Sequence, residues 1–309
     1  MVRLDELIAY PLKSLDGVVV DRAELGPQGA VRGDRSYALV EAGVDPQTAS
    51  VGGDGGYVNG KREPAVHPLR AEYELAGPPD ATPTAVTIER PERVVDGVTV
   101  SADTRRFGLR DDASALEAWI GEYLGYAVDL VVDDDDGGFP DDRVAPGPTV
   151  VSQETLRAFA SWFDEIADAT EARRRLRPNL VLADCPAFWE DHLFADHGEG
   201  VRFTIGDVDL VGVNPCQRCV VPARHPDTGE TIEGFRERFV SKRRATRPEW
   251  TDGNRFDHEF RLMINTVVPK RSWGSTVAVG SGVDVDVTVP VDDAEGVPTA
   301  DTETAQSTE

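Results

Sequence analysis

The stretch YPLKSLDGVVVDRAELGPQGAVRGDRSYALV, residues 10–40, sets the pattern of the N-terminal part of the chain. Its runs GVVVDRAEL (17–25) and SYALVE (36–41) alternate apolar and polar residues or are rich in valine, and Gly, Pro and Asp separate them. Such runs are typical of short strands joined by turns. TAVTIE (84–89) continues the pattern. Residues 1–100 therefore predict a β-rich domain, either a barrel or a sandwich.

Two helices are expected to interrupt the β pattern. In DASALEAWIGEYLG (112–125) apolar residues recur every three or four positions, which predicts an amphipathic helix that ends at Gly125. A second helix is expected to begin at Ser152, a suitable N-cap. Strand character then returns in NLVLAD, VRFTIGD and VDLVGV, with Gly206 and Asp207 as a hairpin turn. The predicted fold class is mainly β with a few helices, a β-rich α+β protein.

Changes in composition divide the chain into segments. Residues 131–148 combine an acidic run with Gly and Pro, as an inter-domain connection does, and their charges are expected to be solvated. We therefore expect one β-rich domain over residues 1–130 and another over residues 149–290. The stretch 45–56 predicts a mobile loop. The acidic tail, residues 291–309, has few apolar residues to offset its ordering entropy and is expected to be disordered.

The charge balance excludes some partners. The 309-residue chain has 56 acidic against 32 basic residues, a formal net charge of -24. So few spare cations cannot form a broad basic face, so we expect neither a nucleic-acid nor a membrane partner. The excess also resembles the acidic surfaces of proteins from high-salt cytoplasm. The N-terminal residues show no secretory signal or membrane-spanning run, which predicts a cytoplasmic protein.

The segment NPCQRCVVPARHPDTGE (214–230) holds two of the three cysteines. An odd number of cysteines without a secretory signal favours reduced thiols. Cys216 and Cys219 could form a redox dithiol, belong to a zinc site or fill a β core. However, a dithiol usually opens a helix, zinc lacks a second ligand pair, and Arg218 would be costly to bury. One thiolate could also ligate a soft metal carried in an anionic organic cofactor.

Several of these segments together resemble one known family. Residues 10–40, the stretch RRRLRPNLVL (173–182) and the thiol segment 214–230 are similar to MOSC proteins, the domain found at the C-terminus of molybdenum cofactor sulfurases. The two-part arrangement also resembles the mitochondrial amidoxime reducing component and its bacterial relatives. The resemblance spans roughly residues 3–290. It implies a MOSC N-terminal β-barrel domain packed on a β-barrel MOSC domain, with a cofactor in the cleft between them.

The same resemblance implies roles for individual residues. Cys219 is expected to ligate molybdenum and to be the catalytic residue, while Cys216 is only its neighbour. The residues expected to bind the molybdenum cofactor (molybdenum-molybdopterin) are Lys13, Ser14, Arg35, Ser152, Arg177, Asn179 and Arg218. Lys13, Ser14 and Arg35 are expected at the pterin phosphate, where guanidinium can bind bidentately and ammonium acts as a point charge. For Ser152 the helix cap remains an alternative role.

The function that the resemblance implies is the reduction of N-hydroxylated compounds by a molybdenum-dependent oxidoreductase. A cofactor carrier or sulfur-relay protein without turnover is the alternative, and a zinc-stabilised structural protein is a third hypothesis. Three cysteines are too few for a four-thiolate iron-sulfur cluster, and no flavin or haem signature is present. We therefore expect a separate electron-transfer protein as partner, beside a small-molecule substrate. The cationic segment 239–260 is either a salt-bridged face or a docking patch for such a partner.

The charge of -24 generates a prediction about salt. Because self-repulsion between acidic side chains is less screened at low ionic strength, we expect the melting temperature to fall as salt is removed. Thermal unfolding measured from low to molar sodium chloride checks this expectation. A melting temperature that does not change with salt would contradict the interpretation of the surface as halophile-like.

Overall fold

The structure is a computed structural model that describes residues 1–45, 56–78, 80–133, 137–251, 253–256 and 258–291. Most of the expected loop at 45–56 and most of the expected tail lie outside the described residues. The strands are β1 (Arg3–Ala9), β2 (Val18–Val20), β3 (Arg22–Glu24), β4 (Tyr37–Glu41), β5 (Arg70–Gly77), β6 (Asp80–Arg90), β7 (Arg93–Val95), β8 (Val98–Val100), β9 (Asp103–Gly108), β10 (Val128–Val132), β11 (Val150–Ser152), β12 (Leu180–Ala183), β13 (Glu199–Ile205), β14 (Val208–Gln217), β15 (Arg261–Val267), β16 (Thr276–Ala278) and β17 (Val283–Pro290). The α-helices are α1 (Ala113–Leu124), α2 (Gln153–Ala160), α3 (Ala169–Leu176) and α4 (Phe235–Thr246).

The predicted β-rich class is confirmed. The largest sheet has the strand order β17-β13-β14-β15-β11-β12-β1-β2, and a smaller one has the order β5-β6-β9. Among the described strands, neither these sheets nor the two-stranded ones close on themselves. The expected barrels are therefore present as open, packed sheets, because β17 and β2 form two separate edges of the largest sheet.

Strand β1 lies inside the largest sheet, between β2, which follows it in the chain, and β12, which is far along the chain. It pairs antiparallel with β12, where Leu7 faces Leu180. The Ile8 amide also donates a hydrogen bond of 2.8 Å to the carbonyl oxygen of Asn179. Leu4, Leu7 and Leu180 are fully buried in one hydrophobic core. Strands from both sides of the acidic connection 131–148 thus share one sheet and one core.

Helix α1 packs on a second hydrophobic core, distinct from the one that contains Leu4 and Leu7. This core lies between the smaller sheet and β10. The apolar stripe of the helix is buried, including Trp119, whose ring centroid lies 5.5 Å from that of Phe107. Gly125 ends the helix in the left-handed conformation, with φ 91°, and its amide donates to Gly121. This φ is accessible to glycine at no steric cost. The helix and its end are both as predicted.

The other helices depart from the expectations in instructive ways. Ser152 caps α2 as predicted, and this helix ends at Ala160. Phe163 follows it, in an aromatic cluster with Phe235 of α4 at a centroid distance of 4.6 Å. Sequence patterns did not predict α3 and α4, which are dominated by charged residues. No helix within the described parts of the chain is long and apolar enough to span a membrane.

Helix α4 begins just before the cationic segment 239–260 and supplies part of it. Arginines on or next to the helix pair with carboxylates: Arg238 with Glu165 at 2.8 Å, Arg243 with Asp191 at 2.6 Å, and Arg247 with Glu259 at 2.8 Å. The Arg243 pair is buried. These pairs favour the salt-bridged face over a docking patch, because paired arginines offer little net charge to an acidic partner.

Strand β14 leads to the thiols, and its packing leaves no room at Gly212. A Cβ atom at Gly212 would lie 1.9 Å from the carbonyl oxygen of Leu193. Because this clash is with backbone, Gly212→Ala is expected to lower the free energy of unfolding by about 3 kcal/mol or more. Urea unfolding measures the change. Gly26→Ala is the control, since its Cβ atom would lie 3.7 Å from its nearest neighbour. Equal stability of the two variants would contradict the packing described.

Candidate functional site

Two neighbouring turns bring Lys13 and Arg35 together. The Arg35 amide donates to the Tyr10 carbonyl at 2.8 Å, and the Lys13 amide donates to the Tyr37 carbonyl at 2.8 Å. Ser14 and Arg35 have positive φ values of 76° and 50°, which non-glycine residues adopt uncommonly. The side chains of Lys13 and Arg35 are 3% and 9% exposed. This backbone pairing buries two cationic side chains beside each other.

A carboxylate from the acidic connection pairs with both cations. The Lys13 ammonium donates to Asp141 at 2.7 Å and to the Phe139 carbonyl at 2.8 Å, and the Arg35 Nε donates to Asp141 at 3.3 Å. Arg35 also donates to Asp34. Although burial opposes the effect, Lys13 and Arg35 together hold the pKa of Asp141 well below its usual range. Contrary to expectation, this charge of the connection is paired and not simply solvated.

The Tyr10 ring joins Arg177 to this group. The guanidinium carbons of Arg177 and Arg35 lie 4.2 Å and 5.2 Å from the ring centroid, within the range of cation–π contacts. The Tyr10 hydroxyl donates to the Pro178 carbonyl at 3.0 Å. Burial raises the pKa of Tyr10 to about 12, so its hydroxyl keeps its proton at neutral pH. Arg177 itself occupies the left-handed end of α3, with φ 57°.

The side chains of Asn179 and Ser152 are engaged in the fold. The Asn179 amide donates to the Ile8 carbonyl at 3.0 Å, and its oxygen accepts from the Thr149 amide at 3.2 Å. The Ser152 hydroxyl accepts from the Thr155 amide at 3.1 Å, as an N-cap does. The structure brings neither side chain into the Tyr10 group: Asn179 holds β1 in the sheet, and Ser152 caps α2.

Cys216 is the second-to-last residue of β14, and Cys219 lies just after the strand; Arg218 between them ties this segment, residues 216–219 and here called the thiol loop, to α3. The Arg218 guanidinium donates to the Cys216 sulfur at 3.2 Å, to the Met263 sulfur at 3.5 Å and to the Leu176 carbonyl at 2.9 Å. Leu176 is the residue before Arg177, so this contact connects the loop with the cationic group. Burial raises the pKa of Cys216, although Arg218 opposes this effect. Cys219 is half-buried in the same loop.

The alternatives for the thiols can be compared with this geometry. Only a short 3-10 helix, Val221–Ala223, follows Cys219, whereas a thioredoxin-type dithiol opens an α-helix. Within the described ranges, no three His, Cys, Asp or Glu side chains cluster so that they could hold a metal ion. The described side chains therefore do not form a four-ligand zinc site.

The Pro-Asp-Thr-Gly turn, residues 226–229, joins the N-terminal part of the chain to α3. Asp227 accepts from Arg70 at 3.0 Å and from Arg174 at 2.6 Å. Gly229 has φ 74°, and a Cβ atom there would lie 2.9 Å from the Pro64 carbonyl oxygen. The turn thus fixes how β5, α3 and the loop after Cys219 meet.

Two guanidinium N–H groups near Tyr10 and the thiol loop have no partner within the ranges that the structure describes and can donate to a ligand. Arg177 Nη2 and Arg218 Nε are buried and have no hydrogen-bond acceptor among the described residues. Buried, unpaired guanidinium N–H groups are costly unless a ligand or water satisfies them. The chemistry of this donor set, cationic N–H groups beside a thiol, fits an anionic organic cofactor that carries a soft metal.

Sequence patterns missed two residues of the group, Tyr10 and Asp141. Tyr10 lies three positions before Lys13, and an aromatic residue next to a cationic motif is a usable signal for a stacking platform. Asp141 had no such signal, because it follows an acidic run whose members look alike in sequence.

Comparison with known proteins identifies the class. The model of the MOSC N-terminal beta barrel domain matches residues 1–127, and the model of the MOSC domain matches residues 149–251. The chain therefore belongs to the MOSC family and carries both of these domains.

The relatives found are distant. The chain is 26% identical over 260 residues to mitochondrial amidoxime reducing component 2 of Rattus norvegicus, with 74% of this chain and 70% of the relative covered. It is 25% identical over 279 residues to mitochondrial amidoxime-reducing component 1 of Homo sapiens, with 77% and 73% covered. The corresponding component 1 of Danio rerio is 26% identical over 260 residues, with 75% and 74% covered.

The network around the Ser152 cap generates a prediction about pH. Glu190 is fully buried and accepts from Ser152 and Thr155, and burial raises its pKa to about 7. Because the folded state binds this proton more tightly than the unfolded chain, stability falls as pH rises from about 4.5 to about 7. Glu190 accounts for a change in the free energy of unfolding on the order of 3 kcal/mol over this pH range, and Glu190→Gln should remove that change. Unfolding at a series of pH values measures it, with exposed Glu237→Gln as control; identical profiles for the two variants would contradict the assignment.

Proposed function

We propose that this protein is a molybdenum-cofactor-dependent reductase of N-hydroxylated compounds. The observation that carries the proposal is a cationic group next to the thiol loop: Arg35 and Arg177 contact the Tyr10 ring, and Lys13 is joined to Arg35 through Asp141. The names of the amidoxime-reducing relatives support the reaction class. When bound, the cofactor would supply two-electron redox chemistry that removes the substrate oxygen as water.

The residues of the chain would bind and orient the cofactor. Lys13 and Arg35, with Ser14 beside them, would hold its phosphate through charge-assisted hydrogen bonds. The unpaired N–H groups of Arg177 and Arg218 would donate to its remaining oxygen or sulfur acceptors. Asn179 and Ser152 would act indirectly, since their side chains hold β1 and cap α2.

Within the thiol loop we assign the metal to Cys219. The Cys216 sulfur already accepts a hydrogen bond from Arg218, and burial raises the pKa of this thiol. The raised pKa favours a protonated thiol, although Arg218 opposes the rise, and the hydrogen bond holds Arg218 in place. Cys219 lies on the far side of Arg218 in the sequence, where its sulfur can serve as the ligand.

A carrier of molybdenum cofactor without turnover is the second candidate. The observation that favours it is the pairing of Lys13 and Arg35 with Asp141, which satisfies both cations without a cofactor. Such a site suits reversible binding. Turnover separates the candidates, because an enzyme reduces benzamidoxime with an artificial reductant and a carrier does not.

Partners and location complete the proposal. A separate electron-transfer protein would deliver electrons to the site, and the substrate would be a small molecule. We place the protein in the cytoplasm, whereas the relatives are named as mitochondrial. Fractionation of the source cells with an antibody to the chain tests the location.

The two cysteines generate the test of this function. Cys219→Ser should lose molybdenum and the reduction of benzamidoxime, because it removes the proposed ligand. Cys216→Ser should keep at least part of both, because a serine hydroxyl can still accept from Arg218. Molybdenum and molybdopterin per purified chain are measured beside a melting curve that excludes unfolding. Equal and complete loss in both variants would instead favour a dithiol or a zinc site.

A further inference from the structure

The Lys13 ammonium is a buried charge that cannot be left without a counter-ion. Its side chain is 3% exposed, and burial lowers its pKa while Asp141 opposes this effect. Breaking a buried ion pair by removing one partner strongly destabilises a protein. The position of the Asp141 carboxylate must therefore hold an anion whenever Lys13 is charged.

The backbone that carries Asp141 is anchored, but its side chain is not enclosed. The Phe139 amide donates to the Arg35 carbonyl at 2.8 Å, and a Cβ atom at Gly138 would lie 2.7 Å from the same oxygen. The Asp141 side chain itself is 53% exposed. A side-chain rotation can therefore move its carboxylate into water while the backbone stays in place.

The charges in contact at this site cancel. Lys13 and Arg35 contribute two positive charges, and Asp34 and Asp141 contribute two negative ones. Lys61 acts on Lys13 and Asp141 only at longer range. A phosphate group that entered beside Asp141 would meet like charge, which is unfavourable at close range. Within this set of four charges, phosphate keeps both cations paired and avoids the like charge if it replaces Asp141.

We propose that Asp141 is an internal counter-ion that exchanges with the phosphate group of the ligand. Without ligand its carboxylate pairs with Lys13 and Arg35, and with ligand it turns into solvent while phosphate takes over both contacts. The ligand is a phosphomonoester in this inference, which rests on the proposed function only in taking that ester to be the pterin cofactor. Asp141 thereby sets how tightly the site holds phosphate and keeps the cofactor-free protein folded.

The test uses the full chain, purified free of cofactor, with inorganic phosphate as the probe. Asp141→Asn removes the competing carboxylate, so the Kd for phosphate should fall by about tenfold or more at constant ionic strength. The variant should also melt at a lower temperature than wild type in chloride and recover more than wild type on addition of phosphate. Isothermal calorimetry and melting curves measure both effects. An unchanged or higher Kd in Asp141→Asn would overturn the exchange.

Two controls separate the exchange from a general change of charge. Exposed Asp164→Asn removes the same charge from the connection after α2 and should leave phosphate binding unchanged. The double variant Lys13→Met with Asp141→Asn should bind phosphate more weakly than Asp141→Asn alone, since Lys13 is the nearer of the two cations that pair with Asp141. Tighter binding in Asp164→Asn, or a double variant that binds phosphate as tightly as Asp141→Asn, would assign the effect to net charge and overturn the proposal.

A crystal structure of the wild-type protein with phosphate gives a second readout, which is needed if Asp141→Asn does not fold. Phosphate should lie on Lys13 with the Asp141 carboxylate turned away, and both anions bound together would overturn the exchange. Molybdopterin content distinguishes this inference from the proposed function. Phosphate exchange in a chain that never acquires molybdopterin would leave the inference standing and the function wrong. The opposite result is a molybdopterin content that depends on Lys13 but is the same in Asp141→Asn and wild type when phosphate competes. That result would leave the proposed function standing and overturn the exchange.

Discussion

The pairing of β1 with β12 is the constraint on which the candidate site depends. Asn179 accepts from the Ile8 amide through its carbonyl and donates to the Ile8 carbonyl through its side chain. Because β1 ends at Ala9 and α3 ends just before Arg177, this pairing places the Tyr10 ring against the end of α3. Two segments some 170 positions apart in the chain are thereby brought into contact, as the 168-residue separation of the Tyr10–Pro178 hydrogen bond shows.

Because the cations at this junction are buried, each of them requires an anionic partner. A charged side chain in a low-dielectric environment is tolerated only when paired and hydrogen-bonded. Lys13 and Arg35 meet this condition through Asp34 and Asp141, and the exposed side of Asp141 leaves one of these pairs open to competition from solvent anions. The same electrostatics that stabilise the ligand-free fold therefore oppose ligand binding. The affinity of the site is a difference between two ionic interactions, which makes it sensitive to a single carboxylate.

Local signals in the sequence were sufficient for part of this structure. Ser152 and Gly125 mark helix ends because capping depends on residues within one turn. Charged α3 and α4 were missed because few of their residues are apolar, so periodicity carried little signal. The placement of β1 in the far sheet depends on pairing between distant segments, which alternation within one strand does not specify. The grouping of Lys13, Arg35 and Arg177 was expected from the resemblance, and Tyr10 had a signal that was overlooked, whereas Asp141 emerges only from packing.

Arg218 explains how the cationic group and the thiol loop are held in one arrangement. Its fork reaches the carbonyl of Leu176, beside Arg177, and the sulfur of Cys216. A lysine could not make these contacts in two directions, because its ammonium is a point donor at the end of a flexible stem. A contact path therefore runs from Tyr10 through Arg177 and α3 to Arg218 and the thiols. A rigid ligand with a phosphate at one end and a metal at the other needs both ends of its site at a fixed separation, and this path supplies that rigidity from residues that need not touch the metal.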